Sequence, residues 1–259
     1  MQGIRESTIS YINKHAFFRN QLDWETSWIH LTTITFTTKM TWEIDITQVK
    51  EHFGDDGRVQ IGGWEWILKT GDKEFFNQVT IKYQDDFSTK SIKLFTNGSI
   101  QVAGATDLFD CERVCTGVEE LLGRATKKKW SRLSSQPFKV AMINTNFNVN
   151  FSLNLRMVQQ VFGNTCRVSF DPDRYSAVKL KFAPGEGMKQ VTASVFSTGK
   201  IIVTGAMSLD EIVCSYGFLT QTIKENRTVL ARSQPKPDKG DELFMGASYP
   251  QWIEAIKNI

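Results

Sequence analysis

One eleven-residue segment occurs twice in this chain. Phe95-Thr-Asn-Gly-Ser-Ile-Gln-Val-Ala-Gly-Ala105 matches Phe196-Ser-Thr-Gly-Lys-Ile-Ile-Val-Thr-Gly-Ala206, with Phe95 and Phe196 standing 101 positions apart. A fixed internal offset requires a duplicated architecture, whatever the single elements are. Each copy reads as strand, tight turn and strand, because Asn97-Gly98 and Thr198-Gly199 supply a glycine that accepts positive φ. A helix should follow each hairpin. In the first copy Thr106-Asp107 opens a run through Leu108, Val114, Val118, Leu121 and Leu122, with Gly123 as the expected terminating glycine. In the second, Ser208-Leu-Asp-Glu211 has a capping-box pattern ahead of Ile212, Phe218, Leu219 and Ile223.

The match extends upstream. Phe76-Asn-Gln-Val-Thr-Ile-Lys-Tyr83 aligns with Tyr175-Ser-Ala-Val-Lys-Leu-Lys-Phe182 as an alternating strand. Further back, Leu31 to Phe36 is set against Met142 to Phe147, and each leads into a helical segment ending at Phe53-Gly54 or Phe162-Gly163. The stretch from Gly54 to Phe76 is longer than its counterpart, and its Trp64-Glu-Trp66-Ile67 suits an extra strand. The organisation expected is an N-terminal extension (1–23), a first repeat (24–125), a basic linker (126–136), a second repeat (137–226) and a C-terminal extension (227–259). Within the last, Ser233 to Gly240 reads as a loop, and the segment from Tyr249 to Ile256 reads as a short docking helix with Pro250 at its start.

Composition removes several function classes. The 259 residues, 41% hydrophobic, suffice for a buried core, while 31 Lys and Arg against 28 Asp and Glu give a net charge of only +3. Charge alone therefore does not mark a nucleic-acid binder, and the placement of the basic residues decides. Cys111, Cys115, Cys166 and Cys214 have no metal-ligand spacing, so reduced thiols and no metal or cofactor are expected. No apolar run is long enough for a membrane span and no secretory leader pattern is present, which reads as an intracellular, soluble chain. His15, His30 and His52 pair with no Ser or Cys motif, and Asp55-Asp56 and Asp85-Asp86 look like turns, so no enzyme is expected. The run from Arg124 to Arg132 holds five basic residues and no acid, as a solvated linker or a helix end near phosphates would.

A sheet with helices on one face and water on the other should alternate apolar and polar residues. The strand Ile201-Ile202-Val203 does not. Ile201 and Val203 can pack on helices, which leaves Ile202 apolar on the uncovered side, with Phe196 or Val195 also directed there. An apolar open face usually meets a partner, unless the termini or the Trp64 insertion cover it.

The repeated aromatic, two small or polar residues, Gly, then Ile-x-Val-x-Gly-Ala before a helix resembles the core of the TATA-binding protein family, from about Leu31 to Ile223. With its unmatched ends, the chain is similar to divergent TATA-binding-protein-like proteins of large DNA viruses. The resemblance implies an α+β saddle: two pseudo-symmetric β-α-β-β-β-β-α repeats forming a curved antiparallel sheet of about ten strands, with helices on the convex face. It also implies a transcription initiation factor that bends AT-rich promoter DNA from the minor groove, in the nucleus or at a viral transcription site. Inserted apolar wedges that kink DNA are the known behaviour of this family.

Carried over by position, the wedges fall on Phe76 and Phe95 in the first repeat and on Tyr175 and Phe196 in the second. Groove contacts fall on Ile202 and Thr204, whose first-repeat counterparts are Gln101 and Ala103, and basic positions fall on Lys82, Lys181 and Lys200. The central asparagine of each repeat is replaced by Leu31 and Met142, which implies weaker dependence on base order. Asp171 and Asp173, in Ser169-Phe-Asp-Pro-Asp-Arg-Tyr175, take the acidic positions that engage a factor-IIB-like partner or the polymerase machinery, although an ordinary Asp-Pro turn would look the same. The competing reading is a structural or protein-interaction module that keeps the fold without DNA binding, to which the polar Lys93 and Gln101 lend weight.

Overall fold

The structure is a computed structural model, and it describes residues 2–69, 77–86, 88–132, 138–237 and 249–258. It divides into two compact units, Thr33–Ala141 and the pair of segments Met1–Thr32 and Met142–Ile259. The first unit contains β1 (His30–Lys39, whose first residues fall in the other unit), α2 (Ile46–Phe53), β2 (Arg58–Ile61), β3 (Trp64–Leu68), β4 (Gln78–Gln84), β5 (Thr89–Phe95), β6 (Ser99–Ala105) and α3 (Leu108–Thr126). Its strands run β2-β3-β4-β5-β6-β1, each paired antiparallel. The other unit contains α1 (Gln2–Asn20), β7 (Lys139–Asn148, which begins just ahead of the boundary), α4 (Leu155–Phe162), β8 (Arg167–Ser169), β9 (Ala177–Phe182), β10 (Val191–Phe196), β11 (Lys200–Ala206), α5 (Leu209–Glu225), α6 (Arg227–Leu230) and α7 (Tyr249–Lys257). Its strands run β7-β11-β10-β9-β8, again antiparallel.

The expectation of a curved saddle is corrected, whereas the extra strand expected from the Trp64 insertion is present. The fold is α+β with a large antiparallel sheet and flanking helices, but the sheet is not curved. The repeats are unequal, because the insertion after Gly54 forms the hairpin β2–β3 and gives the first repeat one strand more than the second. Eleven strands result among the described residues.

The duplicated hairpins superpose in chemistry as well as in sequence. The Gly98 and Gly199 amides each donate to the carbonyl three residues back, on Phe95 and Phe196, at 3.0 Å, and both glycines have positive φ (80° and 89°). Asp107 caps α3 by accepting from the Asp110 amide, and Ser208 caps α5 by accepting from the Glu211 amide. The acid three residues after each cap then reaches back, Asp110 to the Thr106 amide at 2.9 Å and Glu211 to the Met207 amide at 2.6 Å. Gly123 does not end α3. The helix runs on to Thr126, and Lys127 caps it in the left-handed region at φ 57°.

The unmatched segments pack on the helix side of the strands. In the first unit Trp66 of β3 is buried beside Tyr83, ring centroids 4.5 Å apart, and a Cβ at Gly117 of α3 would lie 2.8 Å from its ring. In the other unit α1 lies on α5, and Gly217 is the point of closest approach, where a Cβ would sit 2.7 Å from the Phe18 ring. His15 of α1 is fully buried between Trp28 and Tyr216, at ring-centroid distances of 4.5 and 4.4 Å. The helix α7 packs in turn on α1. Residues 233–237 carry no regular element, and 238–248 lie outside the described residues.

Candidate nucleic-acid interface

Burial along each strand identifies which side chains the helices cover. In β10, Val191, Ala193 and Val195 are buried and Thr192, Ser194 and Phe196 are not; in β11, Ile201 and Val203 are buried while Lys200, Ile202 and Thr204 face the other way. Residues directly opposite in an antiparallel pair share a face, so the registers draw rows across it. One row is Asn146, Ile202, Ser194, Lys179 and Ser169, and the next contains Thr204, Thr192, Lys181 and Arg167. Phe196 stands opposite Ala177, and the exposed Tyr175 meets it edge to face at 5.8 Å, with Lys179 Nζ 4.7 Å from the Tyr175 ring centroid. The open face of this unit therefore brings Tyr175, Phe196, Ile202, Thr204, Lys181 and Lys200 together, and its strand positions carry no acid.

The other unit has a more polar open face. Its rows are Thr80, Lys93, Gln101 and Thr37, and Ile67, Lys82, Ser91, Ala103 and Thr35. Phe95 is half-buried opposite Gln78, in a cleft of about 760 Å³ that it lines with Lys39, Gln101 and Phe138. Phe76 lies outside the described residues. Thr70 to Phe76 as a whole is not described, so this aromatic position has no geometry to set beside Tyr175.

The cations fall into an ion-paired set, which includes Arg58 beside Ile67 on the open face of the first unit, and an unpaired set. Arg58, Arg113, Arg124, Arg132, Arg174 and Arg227 all have an acid in ion-pair range. The two arginines of the basic run are thus structural, Arg124 on Glu120 and Arg132 on Glu112 and Glu119, which leaves Lys127 to Lys129 exposed. Lys90 is fully buried, 2.6 Å from Asp85 and 3.1 Å from Asp110, so Asp85 is a buried counter-ion rather than a plain turn residue. By contrast Lys82, Lys93, Arg167, Lys179, Lys181 and Lys200 on the open faces have no acidic partner among the described residues. Arg167 even stands directly opposite Lys181. Like charges paired across strands are destabilising by themselves, and an anion between them reverses the sign.

The strand registers also place the positions matched to the absent asparagines. Ile34 pairs with Ala105 and Ile143 with Ala206, so Ile34 corresponds to Ile143 and the residue before it, Thr33, corresponds to Met142. Leu31 is buried at 5% exposure, whereas Met142 is 37% exposed. Phe36 and Phe147, matched in the sequence, pair with the non-equivalent Val102 and Ile201, which hides this spacing. Asp171 and Asp173 lie on an exposed turn whose Tyr175 amide donates to the Asp171 carbonyl at 2.9 Å, and Arg174 lies 3.5 Å from the Asp171 carboxylate. Sequence reasoning missed Arg167, Lys179, Asn144 and Asn146. The alternation Asn144-Thr-Asn-Phe-Asn148 is the signal for the two amides, since Thr145 and Phe147 are the buried members.

No group of three or more His, Cys, Asp or Glu that could hold a metal occurs among the described residues. The four cysteines are free, and burial pushes the Cys115 thiol up to about 12 and Cys111 higher still, so neither is a nucleophile near neutral pH. No helix among the described residues is long and apolar enough to cross a membrane.

A duplicated α+β fold, with antiparallel strands and flanking helices in each unit, is similar to the fold of TATA-binding proteins. Residues 137–225 match the family described as "Transcription factor TFIID (or TATA-binding protein, TBP)", a family of transcription factors and not of enzymes. Over 187 residues the chain is 28% identical to the "TATA-box-binding protein-like" protein of Acanthamoeba polyphaga mimivirus, covering 61% of this chain and 51% of that one. The chain thus spans about half the length of the curated relative it matches. Methanococcus jannaschii TBP shares the fold, with a TM-score of 0.56 and 14% identity over 77% of this chain and 99% of that one.

Proposed function

We propose that the chain binds double-stranded, AT-rich DNA in the minor groove through its open face and acts in transcription initiation. The observation that carries this reading is the set of unneutralised cations beside an exposed aromatic pair on a face that α1 and β2–β3 leave free among the described residues. Lys181, Lys200, Lys179 and Arg167 would meet phosphates, while Ile202 and Thr204 would lie against base edges. Tyr175 and Phe196 would act as a wedge, with Phe95 and Phe76 as the first-repeat counterparts and Lys82 and Gln101 beside them. Because the sheet is not curved, the bend would come from inserted rings that unstack a base step, which costs a few kcal/mol per step and is offset by the ring's burial. Met142 would lie on the open face of its own unit, and Leu31 would support that unit from the core.

The turn bearing Asp171 and Asp173 would engage a basic partner surface, of the kind a factor-IIB-like protein presents. The polar face around Lys93 and Gln101 favours a second reading, an interaction module without DNA binding. Fluorescence anisotropy with AT-rich and GC-rich duplexes separates the two. The expected result is binding to the AT-rich duplex that a minor-groove dye displaces, and binding at least about tenfold weaker to the GC-rich one, since a mismatched pair costs roughly 1–3 kcal/mol. No binding, or binding indifferent to both composition and dye, would favour the interaction module.

A further inference from the structure

The asparagines of β7 carry an inference that rests on the DNA-binding reading and deepens it. Asn144, Asn146 and Asn148 alternate with the buried Thr145 and Phe147, so all three amides lie on the open face. Two are committed within the protein. Asn146 Nδ2 donates to Thr32 Oγ1 at 3.0 Å, and Asn148 Oδ1 accepts from the Asn150 amide at 2.7 Å.

Asn144 differs, because its Oδ1 is shielded from water and has no hydrogen-bond partner. Leaving a buried acceptor unpaired is unfavourable, and native structures rarely do so without a reason. The neighbouring strand does not repair it. Thr145 pairs with Val203 and Ile143 with Ala206, so Asn144 stands beside the irregular stretch holding Thr204 and Gly205. The Thr204 hydroxyl is turned instead toward the Thr192 carbonyl at 3.4 Å.

A side-chain amide carries both an acceptor and two donors and can present either end by rotation. In the minor groove every base pair offers acceptors, and the guanine amino group is the one donor. Aliphatic and aromatic side chains of the open face such as Ile202 and Phe196 can only exclude that amino group, whereas a carbonyl oxygen can accept from it. We propose that Asn144 is a base-reading residue whose carbonyl takes up a guanine amino group, so that one position of the bound site accepts G·C while the others require A·T.

The test uses the full chain and AT-rich duplexes in which one pair at a time is replaced by G·C, with a parallel series carrying inosine·C, which lacks the amino group. For the wild type, one position should bind G·C and inosine·C equally, within about twofold. Elsewhere G·C should weaken binding by about tenfold and inosine·C should not. Asn144→Val, which keeps a good strand former in place, should lose about fivefold or more for G·C at the tolerant position. Its binding to inosine·C and its salt dependence should stay unchanged, which shows that the variant is folded. The inference is overturned if the wild type has no tolerant position, or if tolerance survives in Asn144→Val. A wild type that binds no duplex overturns the DNA-binding reading, and this inference with it.

Discussion

Phe196 and Phe218 are both half-buried phenylalanines of the second repeat, yet their surroundings assign them different work. Phe218 on α5 packs against Phe182 and Phe162, at 4.7 and 6.1 Å between ring centroids, so its removal opens a cavity. Phe196 meets the exposed Tyr175 on the open face. Phe196→Ala should therefore abolish most DNA bending, read by energy transfer between duplex ends, and change stability by less than about 1 kcal/mol. Phe218→Ala should do the reverse, costing about 3 kcal/mol in denaturant unfolding while bending persists. Equal bending by the wild type and Phe196→Ala would remove the wedge. His15 gives a second test at this scale. Burial, reinforced by the Arg19 charge, lowers its pKa to about 3, and neither ring nitrogen has a hydrogen-bond partner. A depressed folded value means that the unfolded chain binds the proton first, so stability present above about pH 6.5 is lost as pH falls toward 3, by up to about 1.4 kcal/mol per unit. Between pH 6.5 and 5, above the range of ordinary carboxylates, His15→Phe should flatten this slope, and an unchanged slope would mean that His15 is not its source.

At the scale of elements, the duplication was legible because both hairpins keep the same glycine turn and both long helices keep an acid three residues beyond the cap. What escaped has physical causes. The buried stripe of α1 is Ile4, Thr8, Tyr11, Ile12 and His15, and two polar members hide its helical period. The C-terminus of α3 was set too early because Gly123 is a weak helix former placed inside the helix, while a lysine took the left-handed cap. The offset that set Leu31 against Met142 rests on matching Phe36 with Phe147, which pair with the non-equivalent Val102 and Ile201, a register that one sequence does not display. The free cations were legible only in part, since identifying Arg167 and Lys179 required the β8–β9 register. The β8–β9 connection carries its own prediction. Exchanging Asp171 and Asp173 for Lys should weaken capture of a factor-IIB-like protein by about tenfold and leave DNA affinity unchanged or higher, because the reversed charges repel a basic partner and attract phosphate. Partner capture that survives the exchange would assign those carboxylates to the turn alone.

At the scale of the whole molecule, the two repeats have kept one topology and diverged in what they present. The second offers Tyr175, Phe196 and Ile202, and the first offers Lys82, Lys93 and Gln101. In the core the divergence runs the same way, since the first repeat buries the Lys90, Asp85 and Asp110 cluster at a place where the second carries the apolar Val191. A buried ion cluster of this kind is weak evidence of stability and is costly to break. A formal charge of +3 says little of such a molecule, because six arginines are ion-paired while Lys82, Lys93, Arg167, Lys179, Lys181 and Lys200 on the open faces have no acidic partner among the described residues. The claim that these faces hold DNA is tested most directly by the salt dependence of binding to an AT-rich duplex, for the wild type and for the triple variant Arg167→Gln, Lys179→Gln and Lys181→Gln. Each phosphate contact contributes about 0.9 to the slope of log affinity against log salt. The predicted result is steep, linear weakening for the wild type and a slope shallower by roughly two to three in the variant. A slope that the three substitutions leave unchanged, or a wild type whose binding ignores salt, would contradict the account.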